Sequence, residues 1–519
     1  MRALHWPFSR LCLANPSFCG SAFWPLSHII PAVPPRRDSY DDFHEGVRMM
    51  AQGPGNPPLD LLLIGGTYVL GGGSRAAALG IRDGRVAWTG AAGDAPPAGE
   101  VMDLTGKLIL PGAVDPHVHF RTFSSQCDTL GDVSRSGVHG GVTTLVAFAT
   151  GEEDESMLGT LRRCREEGEA GCVADFSLHA WIFEDFGYLA EIPKAVDAGV
   201  TSFKVMMGYR KRGRGRCIPD EYTYAAMERA AACGGIVLVH AENGPVVDYL
   251  EDKAIAEGID GAEYLRRSRP PGIEAEAVAR SAHLAALAGC PLYIVHVTSA
   301  AALAEVRRAQ AEGRDLAAET CPQYLTITDD AVAEWGAIAK VAPPLRSQPD
   351  IDALWEGVRE GGIDLIGSDH SPYTRAQKEE ASFIDSPFGA PGIETLLPVL
   401  YSEGAAAGRI SLDRLVQVAS EFPARVLGLH PRKGNLHPGA DADIAVIDPE
   451  GETVVRAADQ HTHSDYSLLE GRALTGRIEM TLVRGEVVVR DGVLEKKPGF
   501  GCFIGRGRAG GGGAPPEKK

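Results

Sequence analysis

The chain has 519 residues, of which 44% are hydrophobic and 23% are charged, a composition typical of a globular protein with a large core. Its formal net charge of -18 argues against a nucleic-acid backbone as the main partner, because such binding depends on clustered cations. No apolar run reaches the length needed to span a bilayer, so the sequence predicts no membrane partner. Ten cysteines occur without a C-x-x-C motif, which argues against a zinc ribbon and favours a reducing, cytoplasmic location.

Residues 1–57 differ from the rest of the chain, because they contain no acidic residue before Asp38 and are interrupted by prolines. One interpretation is a transit-like targeting segment, although the uninterrupted apolar stretch of a secretory signal is absent. We favour the alternative, a disordered N-terminal extension with translation beginning at Met49 or Met50. At the other end, the glycine-rich residues 501–519 predict a flexible tail.

From about residue 155 the chain repeats one pattern, in which a helical run ends in glycine and an apolar strand then ends in a polar residue. Helices that close at glycine before β-rich runs indicate parallel β/α units. Six such units follow two further strand-like segments, LILPGAVDPHVHF and VTTLVAFAT, which makes eight strands. The sequence therefore predicts an α/β fold with a (β/α)8 TIM barrel over residues 111–430.

The segments on either side of the barrel predict short alternating strands joined by tight turns, such as Asp83-Gly84 and Asp491-Gly492. Residues 58–110 precede the barrel, and residues 431–500 follow it. We expect both parts to form one small β-sandwich domain from the two chain ends, with the barrel inserted between them.

Ionisable side chains stand at the carboxyl ends of the predicted barrel strands, which is where TIM barrels place their active sites. A lone histidine there is more often structural than a metal ligand, but six ionisable residues on one rim indicate a functional site. Histidine and carboxylate together suit zinc or a similar first-row metal. The candidate residues are His117, His119, Lys204, His240, His296 and Asp369.

Lys204 lies in an apolar strand pattern between Phe203 and Val205, where an ammonium needs a partner or must lose its charge. A nearby metal dication disfavours the ammonium form, and burial lowers the pKa of a lysine towards a neutral, nucleophilic amine. Such an amine can add carbon dioxide and become a carbamate, whose two oxygens can bridge two metals. The alternative is an ion pair with an inward-facing carboxylate from elsewhere in the fold.

Several short motifs together resemble the cyclic amidases of the amidohydrolase superfamily, a group that includes dihydropyrimidinase (hydantoinase), allantoinase and dihydroorotase. The resemblance covers roughly residues 58–500, and the motifs that carry it are LPGAVDPHVHF, SFKVMMGY, VHAENG, YIVHVTS, AETCPQYL, PPLR, GSDH and GADADIAVIDP. It implies that His117, His119 and Asp369 hold one divalent metal and that His240 and His296 hold a second. It also implies that N6-carboxylated Lys204 and a hydroxide bridge the two ions, which are expected to be Zn2+.

The same resemblance implies a hydrolase that opens a cyclic amide, either a hydantoin or a dihydropyrimidine ring. Asp369 is expected to act as general base and then general acid, while Tyr209 donates a hydrogen bond to the developing oxyanion. Relatives of this kind are commonly homo-oligomers, so a tetramer or a dimer is expected.

The resemblance also implies substrate contacts, which are expected at Tyr209, Arg121, Ala342 and Gly392. Tyr209 and the SRPP motif favour a hydantoinase type, whereas APPLR resembles allantoinase and the H-x-H-x-R motif with Arg121 resembles dihydroorotase. The basic residues between 210 and 216 predict either a solvated loop or, with Arg121, a preference for an anionic substituent. A last alternative is a non-catalytic scaffold protein, which the six retained ligand positions disfavour.

Overall fold

The computed structural model describes residues 58–70, 73–76, 78–121, 126–151, 155–211, 217–380 and 382–507. The predicted disordered extension, residues 1–57, lies outside these residues. Within the described chain, no helix is both long enough and apolar enough to cross a membrane.

Nineteen strands form in the described residues, and the central eight are the barrel strands that the sequence predicts. The strands before the barrel are β1 (Leu59–Ile64), β2 (Thr67–Leu70), β3 (Gly73–Ala76), β4 (Ala78–Arg82), β5 (Arg85–Gly90), β6 (Ala98–Asp103) and β7 (Leu108–Pro111). The barrel strands are β8 (Ala113–Val118), β9 (Val142–Ala149), β10 (Asp175–Trp181), β11 (Ser202–Met206), β12 (Ile236–His240), β13 (Leu292–Ile294), β14 (Leu316–Thr320) and β15 (Leu365–Ile366). The strands after the barrel are β16 (Ile444–Val454), β17 (Ala473–Val483), β18 (Glu486–Arg490) and β19 (Val493–Leu494).

The α-helices connect the barrel strands or follow the last of them. They are α1 (Leu130–His139), α2 (Met157–Gly171), α3 (Phe186–Leu189), α4 (Ile192–Asp197), α5 (Asp220–Ala232), α6 (Gly244–Ala256), α7 (Gly261–Ser268), α8 (Pro271–Ala288), α9 (Ala300–Ala311), α10 (Pro322–Thr326), α11 (Asp330–Trp335), α12 (Gln348–Glu360), α13 (Arg375–Glu379), α14 (Leu396–Val399), α15 (Leu412–Val416) and α16 (Phe422–Val426). The predicted glycine stops are visible at α8 and α12, which end at Gly289 (φ 64°) and Gly361 (φ 89°) in the left-handed conformation that glycine adopts without strain.

The eight barrel strands are hydrogen-bonded in chain order, and every neighbouring pair is parallel. The β-branched strand β9 is buried along its whole length, as expected for a strand covered on both faces. An isolated parallel bridge between Val118 and His370 joins the two edge strands at their carboxyl ends. The predicted fold class is therefore confirmed, and the ionisable strand ends meet on one rim.

The flanking strands form two sheets, as predicted for a sandwich made from both chain ends. One sheet has the order β5-β4-β1-β6, and the other has the order β19-β18-β17-β16-β7-β2-β3, which mixes strands from the two ends. The antiparallel pairing of β7 with β16 is the seam between these two parts of the chain. Apolar side chains from both sheets form one buried cluster that includes Leu63, Ile81, Ile109, Ile444 and Leu482.

The prediction of a flexible tail from residue 501 is wrong for its first seven residues. The amide of Ile504 donates to the carbonyl oxygen of Phe176 at 2.7 Å, and the amide of Arg506 donates to that of Gly199 at 2.8 Å. Both Ile504 and Arg506 are 3% exposed. The glycine-rich composition indicated disorder, but backbone hydrogen bonds to β10 and to Gly199, which precedes β11, fix residues 501–507. Residues 508–519 lie outside the described chain.

A buried ion cluster links the barrel to the sandwich. The ammonium of Lys433 lies 2.6 Å from Asp175 on β10, 2.9 Å from Asp441 and 2.7 Å from Asp443, which immediately precedes β16. The Lys433 side chain is fully buried, so its charge is stabilised by these three carboxylates rather than by water.

Replacing Lys433 with methionine should therefore lower the free energy of unfolding by about 3 kcal/mol, because buried carboxylates lose their shared cation. We expect the lower end of the usual range, since Arg484 and Arg432 also face the cluster. Urea denaturation of both proteins measures the difference. The control is Lys496→Met, which removes a partly exposed pair with Glu486 and should change stability little. Equal stability of the two variants would contradict this role for Lys433.

Candidate metal centre

Three of the predicted ligands meet at the carboxyl end of the barrel. His117 is in β8, His119 follows it, and Asp369 lies three residues beyond β15. One oxygen of Asp369, Oδ1, lies 3.0 Å from His117 Nε2 and 3.3 Å from His119 Nε2. Ligand atoms of the three residues all lie within 4.8 Å of one another, an arrangement that can hold one metal ion.

The other two predicted histidine ligands lie beside these three residues. His240 is the last residue of β12, and its Nδ1 is 2.9 Å from Nε2 of His296, which follows β13. The ring of His296 is also 5.4 Å from the ring of His117, centroid to centroid. Nδ1 of His296 is buried and has no hydrogen-bond partner among the residues that the structure describes, which is costly for an imidazole unless another group engages it.

Lys204 lies in β11 between these two groups of ligands along the barrel, and its side chain is 1% exposed. Burial lowers the pKa of Lys204 to about 8, although the charges of Asp369 and Glu319 act in the opposite direction. Within the described residues, Lys204 forms no ion pair with a carboxylate, and its Nζ lies 5.0 Å from the centre of the Phe148 ring. The alternative sequence interpretation, a paired structural lysine, therefore has no support in the geometry.

The protonation behaviour of the ligands suits a cation site. Burial opposes protonation of His117, but the carboxylates of Glu319 and Asp369 outweigh burial and raise its pKa to about 9. Burial would raise the pKa of Asp369, yet the adjacent histidines hold it well below the usual range. Burial lowers the pKa of His119 to about 4, so its imidazole stays neutral, and this set of imidazole and carboxylate donors fits a divalent first-row metal.

The backbone of the site is strained at three of its residues. Tyr209, His296 and Asp369 have φ angles of 65°, 39° and 50°, in the left-handed region that non-glycine residues seldom occupy. Such strain persists only where the surrounding structure enforces it, and it concentrates at functional sites. Tyr209 lies next to the predicted second pair, with its ring 5.1 Å from that of His240.

Comparison with known proteins agrees with this geometry. The amidohydrolase family model matches residues 108–488. The chain belongs to the amidohydrolase family. It is 36% identical to a D-hydantoinase of Rhizobium radiobacter over 457 residues, which is 86% of this chain and 98% of that protein. It is 38% identical to a D-hydantoinase of Streptomyces coelicolor over 82% of this chain and 93% of that one.

Solved structures show the same relationship. The crystal structure of a dihydropyrimidinase from Brevibacillus agri matches this amidohydrolase with a TM-score of 0.83 and 33% identity, covering 86% of this chain and 98% of that one. A similarity of that extent covers both the barrel and the sandwich.

The predicted substrate contacts occupy different environments in this amidohydrolase. Arg121 is exposed and immediately precedes residues 122–125, which lie outside the described chain. Ala342 is buried in the segment of the chain that connects α11 to α12. The amide of Gly392 donates to His370 Nδ1 and its carbonyl oxygen accepts from Thr395, so both polar groups of Gly392 already have partners. Substrate contact at these positions stays a prediction.

The predicted basic loop lies mostly outside the described residues, since residues 212–216 are not among them. Lys211 is described, and its ammonium forms an ion pair with Asp252. This pairing leaves less positive charge for a substrate anion than the sequence alone indicates.

The sequence interpretation missed Glu319, the carboxylate that connects the two ligand groups. Its Oε1 accepts from His117 Nδ1 at 2.7 Å and from the backbone amide of His296 at 3.0 Å, while Oε2 accepts from the hydroxyl of Tyr293. The bond to Nδ1 fixes the His117 ring so that Nε2 faces Asp369. Glu319 lies in the quoted AETCPQYL motif, but nothing in the motif indicates its partners.

The sequence interpretation also missed a buried ion network behind His240. His240 Nε2 lies 2.7 Å from Glu242 Oε2, which leaves Nδ1 to face His296. Arg269, which is 1% exposed, contacts Glu242 at 2.5 Å and Glu251 at 3.2 Å. Burial would raise the pKa of Glu242, but Arg269 and His240 lower it to about 2, so the carboxylate stays ionised and orients the His240 ring.

We expect Glu319→Gln to weaken metal binding by about 10-fold to 100-fold, the usual loss when a group that orients a metal-binding histidine is changed. Competition with a chromophoric chelator measures the affinity independently of activity. The absorption spectrum of the cobalt-loaded variant should also change, because the His117 ring is no longer fixed.

The matched control for this prediction is Tyr293→Phe, which removes the hydroxyl from the other oxygen of Glu319 and leaves the bond to His117 in place. Its effect on metal affinity should be much smaller. Wild-type affinity and an unchanged spectrum in Glu319→Gln would show that Glu319 does not orient the site.

Proposed function

We propose that this protein is a metal-dependent hydrolase that opens a cyclic amide, a hydantoin or dihydropyrimidine ring. The observation that carries the proposal is the meeting of His117, His119 and Asp369 within 4.8 Å at the active face of the barrel. The near full-length match to D-hydantoinases supports the same reaction class. A non-catalytic scaffold role is disfavoured, because all six predicted ligand positions are retained in the fold.

The proposal includes two divalent ions, Zn2+ by preference, held by His117, His119 and Asp369 and by His240 and His296. Lys204 would join both ions as its carbamate, a form that agrees with its burial, its lowered pKa and its lack of an ion pair within the described residues. When bound, such ions make water a nucleophile near neutral pH and polarise a carbonyl group.

The residues of the chain would then transfer the proton of the attacking water and stabilise the negative charge that develops on the carbonyl oxygen. Ring opening adds water across a single C–N bond, so the carbonyl carbon gains an oxygen and the ring nitrogen gains a proton. Asp369 would take the proton from the attacking water and deliver it to the departing nitrogen. The phenol of Tyr209 would donate to the oxyanion that forms when the carbonyl is attacked.

A homo-oligomer, a tetramer or a dimer, and a cytoplasmic location belong to the same proposal. The eight cysteines in the described residues are all free thiols, which agrees with a reducing compartment. Arg121, Ala342 and Gly392 stay candidate substrate contacts within this proposal.

An assay on a panel of four cyclic amides tests the proposed function directly. Purified protein is stripped with a chelator, reloaded with zinc, and assayed on hydantoin, dihydrouracil, allantoin and dihydroorotate by chromatography of the ring-opened products. We expect turnover of hydantoin or dihydrouracil, loss of activity after chelation, and recovery with metal. Turnover of allantoin or dihydroorotate alone would contradict the proposed substrate class.

Tyr209→Phe should lower kcat by about 10² to 10³, because one donor to the oxyanion is lost while the substrate still binds. Steady-state kinetics on the best ring separate kcat from KM. Tyr249→Phe is the control, since Tyr249 is 68% exposed and should leave both constants unchanged. A Tyr209→Phe enzyme with wild-type kcat would remove the tyrosine from the mechanism.

A further inference from the structure

The last described residues of the chain lie in the barrel wall. In the described chain, β10 and β11 pair only towards their carboxyl ends, beginning at Ala180 with Phe203. Towards its amino end, β10 instead contacts residues 502–506, which we call the C-terminal segment, through an isolated parallel bridge between Phe176 and Phe503. The C-terminal segment therefore completes the wall where β10 and β11 are not paired with each other.

The side chain of Arg506 lies on the inner side of this wall. Ile504 belongs to the apolar cluster that also contains Val114 and Leu238. Leu238 is in register with Lys204, so this cluster fills the barrel interior below the candidate metal ligands. Side chains two residues apart on an extended segment share a face, which places Arg506 on the same side as Ile504.

The guanidinium of Arg506 has unused hydrogen-bond donors. The residue is 3% exposed, and its Nη2 donates to the carbonyl oxygen of Leu178 on β10. Nε and Nη1 are buried as well, and neither has a hydrogen-bond partner among the residues that the structure describes. A buried donor that has left water needs an acceptor, and a charged donor needs one most.

The positive charge of Arg506 is also without a counter-charge in the described chain. Burial lowers the pKa of Arg506 to about 9, so the guanidinium stays protonated at neutral pH. Arg269 and Arg346 are buried to a similar degree, but Arg269 is paired with Glu242 and Arg346 with Glu274. Arg506 forms no such pair with a described carboxylate, although an uncompensated buried charge is strongly destabilising.

The ionisable groups nearest to Arg506 on β10 do not supply the missing charge. Burial and the charge of Arg506 lower the pKa of His179 well below its usual value, so that ring is neutral. His179 Nδ1 is moreover 2.6 Å from the hydroxyl of Ser202. Asp175, at the amino end of β10, is bound by Lys433 and Arg484.

We propose that the barrel interior beside Arg506 holds a small monovalent anion, such as chloride, and that this anion stabilises the C-terminal segment in the wall. An anion supplies both the acceptor and the counter-charge that the guanidinium requires, whereas a water molecule supplies the acceptor alone. The site lies towards the amino ends of the strands, while the candidate metal ligands lie at their carboxyl ends. The proposal is therefore independent of the proposed ring-opening function.

The test follows the thermal melting of the zinc-loaded full chain while bromide or chloride is raised from about 5 to about 300 mM. Sodium gluconate keeps the ionic strength constant, because gluconate is too large for an enclosed site. In wild type the apparent Tm should rise by about 2 °C and then saturate, as expected for a ligand that binds only the folded state. In Arg506→Gln, which removes the charge, the Tm should not depend on the halide.

Arg165→Gln is the matched control. Arg165 contacts the same C-terminal segment from outside the barrel, with its guanidinium carbon 4.6 Å from the centre of the Phe503 ring, and it is paired with Glu169. This variant should keep the halide dependence of wild type. A Tm of wild type that does not respond to halide, or an equal response in Arg506→Gln, would overturn the proposal.

Bromide anomalous diffraction from wild-type crystals locates the ion and decides the matter even if Arg506→Gln fails to fold. We expect a peak within hydrogen-bond distance of Nε or Nη1 of Arg506. A saturable rise in Tm without a peak at Arg506 would also overturn the proposal. None of these outcomes bears on ring opening, which the assay on cyclic amides tests separately.

Discussion

The burial of Lys204, which forms no ion pair with any carboxylate in the described part of the chain, is the constraint on which the arrangement of the site depends. An ammonium in an apolar barrel is costly, and burial lowers the Lys204 pKa to about 8. A residue in that state stabilises the fold only if its charge is removed or compensated by its surroundings. In the proposed metal-loaded enzyme, the histidines and Asp369 at the strand ends would surround a lysine carbamate and two cations, whose charges would compensate each other.

Carboxylates behind the candidate ligands determine which ring nitrogens face the centre of the proposed site. Glu319 occupies Nδ1 of His117, so Nε2 faces Asp369, whereas Glu242 occupies Nε2 of His240, so Nδ1 faces His296. The two histidines therefore use opposite nitrogens, and each choice follows from one hydrogen bond. Arg269 extends this network to Tyr209, with its guanidinium carbon 5.4 Å from the phenol ring centre. Ligand orientation and the position of the proposed oxyanion donor are thus linked through one buried network.

The sequence predicted the parts of the site that follow from local pattern. His117, His240 and Asp369 lie in or just beyond strands that share one rim, because parallel barrel strands all point the same way, so the positions of these candidate ligands could be predicted from strand order. Glu319 could not be assigned in this way. His117 and Glu319, which share a hydrogen bond, are 202 residues apart in the chain. Such contacts leave no periodic signal in the chain. The prediction of a flexible tail was wrong for a related reason, because glycine-rich composition does not reveal that residues 501–507 form hydrogen bonds with a barrel strand.

The most direct test of this account is the chemical state of Lys204. Zinc-loaded protein, equilibrated with 13C-labelled bicarbonate and freed of excess label, is examined by 13C NMR beside the Lys204→Met variant. The account predicts one carbamate resonance per chain in the wild type and none in the variant, with loss of the resonance when the metal is removed. A fully active, zinc-loaded wild-type enzyme without that resonance would contradict it.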